Sequence, residues 1–370
     1  MNKPGLLVLE DGSVFKGRSF GAEGESAGEI VFNTSMTGYQ EILYDPSYCG
    51  QLVMMTYPLI GNYGVNAEDN ESEKLWLQGF IVKEYTGPPS NWRSREPLDQ
   101  LLKRQGIVAI DQVDTRLLTK KIREQGAMQA ILSTRTEDVD LLLERLKKTP
   151  SLVGRDLVSE VTTSGFYAWK NGEKSVLDAE GQSSEAHVVV YDFGVKYNIL
   201  NMLSALKCRV TVVPANTSAD ALLALNPDGI LLSNGPGDPE GVPYAIKNVK
   251  ALLVSKKPIF GICLGHQILA LALGAKCSKM KFGHHGGNQP VMDLATKRVQ
   301  ITAQNHGFEI DLSEIKDEVE VTHINLNDKT LEGLRHRKLP VSSVQYHPEG
   351  APGPHDAAFF FKTFVDSFAK

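Results

Sequence analysis

The chain has 370 residues, 42% of them hydrophobic and 22% charged, ordinary proportions for a globular protein long enough to hold two domains. A formal net charge of −5 leaves no broad basic field for nucleic acid. No apolar run reaches bilayer-spanning length, and the opening MNKPGLLVLEDGSV is broken by Glu10 and Asp11 before a secretory core can form.

The expected setting is therefore the cytoplasm, with no membrane or nucleic-acid partner. Four scattered cysteines, Cys49, Cys208, Cys263 and Cys277, include no C-x-x-C pair, which argues against a disulfide framework or a structural zinc site.

In chain order, Gly5–Glu10 and Ser13–Lys16 flank an Asp-Gly pair and read as a β-hairpin. Residues 28–33 and 51–57 are further strand candidates. Residues 97–105 and 115–125 place apolar side chains at helical spacing. This first part, residues 1–163, reads as a mixed α/β, strand-rich domain. Residues 164–186 are poor in periodic apolar residues, and the polar stretch Gly172–Ala186 reads as a linker.

From His187 to the end the pattern changes. The short apolar runs HVVVYDFG, CRVTVVPA, GILLSNGPG and PIFGICLG alternate with helical segments at 196–205, 218–225 and 244–255. Continuous apolar strands separated by helices imply a mostly parallel sheet covered on both faces, with ligands at the carboxyl ends of its strands.

At one such end stands Gly261-Ile-Cys263-Leu-Gly265-His-Gln267. Small residues two positions before and after a nucleophile permit a sharp strand-to-helix turn that holds it above the sheet. A helix N-terminus favours the thiolate, and the Leu264 N–H can face a developing oxyanion. Taken alone, G-x-C-x-G fits a buried cysteine in a packing turn equally well.

Near the other end of the chain, Val344-Gln-Tyr-His347-Pro-Glu349-Gly follows an apolar run that reads as a final strand ending at Tyr346. In extended geometry His347 and Glu349 face the same way, so the carboxylate can orient the imidazole. The order Cys263, His347, Glu349 supplies a nucleophile, a base and a group to orient the base.

Ser233-Asn-Gly235-Pro-Gly237-Asp-Pro239 is a tight turn after an apolar strand and carries no nucleotide-binding pattern. His284-His285 lacks a third ligand at useful spacing, so a hydrogen-bonded pair is expected and no metal. The terminal FFFKTFVDSF reads as a packed helix rather than an anchor.

The string G-I-C-L-G-H-Q together with H-P-E resembles the class I glutamine amidotransferases. That resemblance implies glutamine hydrolysis by Cys263, His347 and Glu349. It also implies that Gly235 completes the oxyanion hole and Gly237 holds the α-substituents of glutamine. Gln304-Asn305-His306-Gly307-Phe308 is similar to the family's glutamine-binding segment, so Asn305, Gly307 and Phe308 join Leu264 and Gln267 as expected substrate contacts. Gly350, after H-P-E, departs from the alanine or serine of many relatives.

The first half is similar to the N-terminal domain of carbamoyl-phosphate synthase small subunits in Asn33-Thr-Ser-Met-Thr-Gly38-Tyr-Gln-Glu41, Asp45-Pro-Ser47-Tyr, Thr56-Tyr-Pro-Leu-Ile-Gly61-Asn, Asp114-Thr-Arg116 and Arg123-Glu-Gln-Gly126. In that family the serine matching Ser47 reaches the bound glutamine, which implies a pocket partly at the domain interface. The resemblance further implies a large partner subunit, in a heterodimer or higher assembly, that carries ATP and Mg and makes carbamoyl phosphate for arginine or pyrimidine synthesis. This chain itself is expected to need no cofactor. The alternatives are an amidotransferase subunit of another synthetase, a catalytically silent interaction module, or a cysteine peptidase.

Overall fold

The computed structural model describes residues 3–177 and 186–368, which fall into two compact units. The first comprises residues 1–153 together with 281–286, and the second the remainder.

The first unit is a closed seven-stranded barrel. Neighbours run in the order Pro4–Leu9, Val14–Ser19, Val108–Asp111, Gly79–Ile81, Gln51–Met55, Glu25–Asn33 and Met128–Ser133, the last pairing with the first. The Asp-Gly hairpin is formed, with Val8 opposite Val14. Both faces of Gln51–Met55, Gly79–Ile81 and Val108–Asp111 are covered, which is why their runs are mostly apolar. Ile30, Phe32, Leu52, Met54 and Leu132 pack into one cluster, while Val31, Val53 and Met55 on the opposite face join another with Leu98 and Leu101. The helices Leu98–Arg104 and Thr115–Gln125 lie where the periodicity puts them, and Asp114 caps the second by accepting from the Leu117 N–H.

The second unit is built on an eleven-stranded sheet. Its centre is parallel: Arg209–Pro214, His187–Asp192, Gly229–Leu232, Ile259–Ile262 and Val341–Val344 are neighbours in that order. Beyond Val341–Val344 the sheet continues through Leu331–His336, Val319–Asn325, Lys276–Asp293 and Val299–Asp311, with the pairings of the first three antiparallel. Helices Tyr197–Ala205, Pro243–Leu253 and Leu264–Leu273 cover its faces, and Phe359–Asp366 forms the expected terminal helix.

Two expectations need correction. Part of the stretch read as a linker is a hairpin, Tyr167–Lys170 paired with Glu173–Ser175, added to the sheet beside Arg209–Pro214. Tyr167 and Trp169 are buried, and the Trp169 indole N–H donates to Asn201 Oδ1 at 2.9 Å, so two aromatics suffice to hold an otherwise polar edge. Residues 178–185 of that stretch lie outside the described residues. The last central strand ends at Val344 rather than Tyr346, because the Gln345 N–H turns to Glu332 O and the His347 N–H to Ala303 O.

Leu231 is fully buried in the central strand, whereas Trp92 in the first unit is 89% exposed. Leu231→Ala should lower stability by about 2–5 kcal/mol. Trp92→Ala should stay within about 0.5 kcal/mol of wild type in the same urea titration.

Candidate active site

Four carboxyl ends of the central parallel strands supply the site. Cys263 follows Ile259–Ile262, and helix Leu264–Leu273 starts on the next residue. Its backbone sits at φ 52°, ψ −105°, a left-handed conformation that costs a non-glycine residue of order 1–3 kcal/mol.

The surroundings impose that turn. The Cys263 N–H donates to Val344 O and the Gly265 N–H to Ser233 O, both at 3.0 Å. A Cβ on Gly261 would lie 2.7 Å from Gly265 O, and one on Gly265 would strike Leu232 O. Both glycines are therefore required by close backbone approach, as the motif suggested. Gly235 is required in the same way, since a Cβ there would strike Phe193 O. Gly237, at φ 82°, uses the left-handed freedom of glycine.

His347 stands where the strand Val341–Val344 runs out, its Nδ1 2.6 Å from Glu349 Oε1. The same carboxylate oxygen lies 2.6 Å from Lys196 Nζ, which also donates to Ala351 O at 2.6 Å. Lys196, His347 and Glu349 are 2%, 3% and 0% exposed, so this run of charged groups is sealed from water.

Burial would push the Glu349 carboxyl up, but Lys196 and His347 outweigh it and hold it well below the usual carboxylate range. Burial would likewise push the His347 imidazolium down, but Glu349 and Cys263 hold it up, to about 10. Cys263 therefore lies close enough to the imidazole to act on its charge.

The remaining expected residues are distributed as follows. The Cys263 thiol lies 3.5 Å from Asn305 O, on the strand Val299–Asp311 that also carries Gly307 and Phe308. The Gln267 amide nitrogen donates to Phe308 O at 3.0 Å and Gln345 Oε1 at 3.1 Å, tying the nucleophile helix to that strand. Leu264 is buried beside the nucleophile. His306 is engaged by Phe308 O and Gln304 Oε1 along its own strand. Ser47 belongs to the first unit, where Asp45 accepts from its N–H in a short 3-10 turn.

Sequence reasoning missed Lys196. It lies just past Tyr191-Asp-Phe-Gly194, one of the quoted strand ends, and that position was the available signal. A lysine is ordinarily assigned to solvent, so nothing in its own identity marked it.

Two family models match. "Glutamine amidotransferase class-I" covers residues 189–367, and "Carbamoyl-phosphate synthase small chain, CPSase domain" covers residues 7–132. The carbamoyl phosphate synthase small chain of Syntrophotalea carbinolica is 57% identical over 99% of this chain and 98% of its own length. That of Chlorobaculum tepidum is 53% identical over 98% and 97%, and that of Aquifex aeolicus 52% over 99% of each.

The chain belongs to the carbamoyl-phosphate synthase small-chain family. Membership makes it an enzyme subunit, the glutamine-hydrolysing one, with a class I amidotransferase domain following the small-chain domain. Among the described residues no helix is long and apolar enough to cross a membrane.

Two outcomes are expected of this small-chain site. Lys196→Ala leaves the buried Glu349 charge short of its cation and should cost about 3–5 kcal/mol by chemical denaturation. His347 has a folded pKa above its unfolded value of about 6.5. Its protonation therefore adds stability that is fully present below pH 6.5 and lost as pH rises toward 10. The stability advantage of wild type over His347→Gln should accordingly shrink across that window, and an unchanging difference would refute the assignment.

Proposed function

We propose that Cys263, His347 and Glu349 hydrolyse L-glutamine and that the ammonia passes to a large ATP-dependent subunit. The observation that carries this reading is the continuous buried arrangement of Lys196, Glu349 and His347 ending beside a cysteine mounted on a strained strand-to-helix turn.

The Cys263 thiolate attacks the side-chain amide carbon of glutamine, forming a C–S bond and moving the carbonyl electron pair onto oxygen. The N–H groups of Leu264 and Gly235 receive that oxyanion. The His347 imidazolium gives its proton to the leaving nitrogen, ammonia departs, and a glutamyl thioester remains. Neutral His347 then takes a proton from water as its oxygen attacks the thioester, and collapse releases glutamic acid, which ionises in solvent, and returns the thiolate beside the His347 imidazolium. Glu349 keeps the ring in one orientation through both halves, and Lys196 keeps Glu349 ionised and in place.

Gly237, Asn305, Gly307 and Phe308 hold the substrate in this reading. Gln267, pinned to Phe308 and Gln345, sets the position of that segment. Ser47 is assigned to the glutamine by resemblance. ATP and Mg belong to the large partner, which uses the ammonia with bicarbonate to make carbamoyl phosphate. A heterodimer or a higher assembly of it, located in the cytoplasm, fits this division of labour.

The test is carbamoyl phosphate formation by the chain combined with a large subunit, ATP and bicarbonate, with glutamine or ammonia as nitrogen source. Cys263→Ala should abolish the glutamine-dependent rate and spare the ammonia-dependent one. Glutamine hydrolysis without carbamoyl phosphate from any such pairing would sink the choice of synthetase and leave the hydrolysis intact.

A further inference from the structure

Gln267 lies one turn along the nucleophile helix, its N–H donating to Cys263 O at 3.1 Å. Both side chains meet the strand Val299–Asp311. The Cys263 thiol lies 3.5 Å from Asn305 O, and the Gln267 amide nitrogen 3.0 Å from Phe308 O. What Gln267 can offer a ligand beside the thiol therefore depends on which way its amide is turned.

A side-chain amide has a donor end and an acceptor end, and only its neighbours decide which faces where. Phe308 O is a backbone carbonyl and can only accept, so the nitrogen of Gln267 must face it. The second N–H of that nitrogen goes to Gln345 Oε1 at 3.1 Å. With both N–H groups committed, the carbonyl oxygen is what remains. Gln267 Oε1 takes no hydrogen bond from the described residues and is not among their sealed polar atoms.

Gln345 is fully buried, directly after the strand Val341–Val344 and two residues before His347, and its backbone N–H is held by Glu332 O at 3.0 Å. Its own Nε2 is sealed and has no hydrogen-bond partner among the described residues, which is a standing cost. Turning the Gln345 amide over would not remove that cost. It would set donor against donor at Gln267 and leave Gln345 Oε1 sealed and unpaired instead. The unpaired donor is what is left once Gln345 has given its acceptor to Gln267.

We propose that Gln345 is a positioning residue for glutamine hydrolysis: its side-chain carbonyl locks the plane of the Gln267 amide, so that Gln267 Oε1 is presented as an acceptor to an N–H group of the substrate. A single bond to Phe308 O would leave the amide free to turn about it. The second bond, from a different segment of chain, stops that rotation. The inference rests on the glutamine reading above and adds to it a residue that acts through Gln267. A fixed acceptor of this kind contributes binding and no proton transfer, so it acts on KM rather than on kcat.

The test is steady-state glutamine hydrolysis by the full chain combined with a large subunit. Gln345→Met and Gln345→Leu remove the acceptor with two different shapes, so failure of one of them to fold does not decide the matter. Each should raise the KM for glutamine roughly ten-fold and leave kcat within about three-fold of wild type. Gln345→Glu presents a carboxyl oxygen to Gln267 whether or not it is protonated, and should hold KM within about three-fold of wild type. The double variant Gln267→Met/Gln345→Met should show the KM of Gln267→Met alone, because the two residues act as one unit. An unchanged KM in the Met and Leu variants would overturn the proposal. So would a Gln345→Glu enzyme as impaired as Gln345→Met, or KM effects that multiply in the double variant. A wild type that hydrolyses no glutamine would sink the reading on which the inference rests, and the inference with it.

Discussion

Lys196, Glu349 and His347 form a run of alternating charge with almost no exposure to water, and the geometry of the site depends on it. Removing a carboxylate and an ammonium from water is expensive, and only close pairing with further hydrogen bonds offsets the cost. Here a single carboxylate oxygen serves both partners at 2.6 Å. The same residues also anchor backbone: Lys196 holds Ala351 O, and Asn198 holds Glu349 O at 2.6 Å. The loop after the last central strand is therefore fixed in place, and the imidazole with it. In the proposed mechanism a base set this firmly needs no reorganisation when it moves a proton.

The cysteine turn is the second constraint and depends on backbone packing rather than on charge. Parallel strands placed side by side bring Phe193, Ser233, Cys263 and the segment after Val344 to one edge. Hydrogen bonds from Cys263 to Val344 and from Gly265 to Ser233 tie these ends together, and the glycines let them approach. The strain at Cys263 is borne by a sheet that is buried on both faces. Fold and chemistry are thus linked through four short chain segments.

Much of this was legible in the residues themselves. Apolar runs alternating with helical spacing marked the parallel core, and G-I-C-L-G and H-P-E marked a close turn and an i, i+2 pair, to which the resemblance to class I amidotransferases assigned the proposed nucleophile and base. The antiparallel arm from Lys276 to His336 was harder to see. Its strands carry lysines, glycines and histidines on partly exposed faces, and their burial does not alternate cleanly. Closure of the barrel was equally hidden, since it depends on pairing Pro4–Leu9 with Met128–Ser133 across more than a hundred residues of chain. Lys196 escaped notice because its importance lies in a partner far along the sequence, brought near only by the sheet.

The most direct test of the triad is to trap the intermediate. Protein mixed with glutamine and quenched in acid within the first turnover would be digested and mapped by mass spectrometry. The account predicts one glutamyl group, labile to hydroxylamine, on the peptide bearing Cys263, and none in Cys263→Ala. A glutamyl group on another residue, or full glutamine turnover by Cys263→Ala, would contradict it.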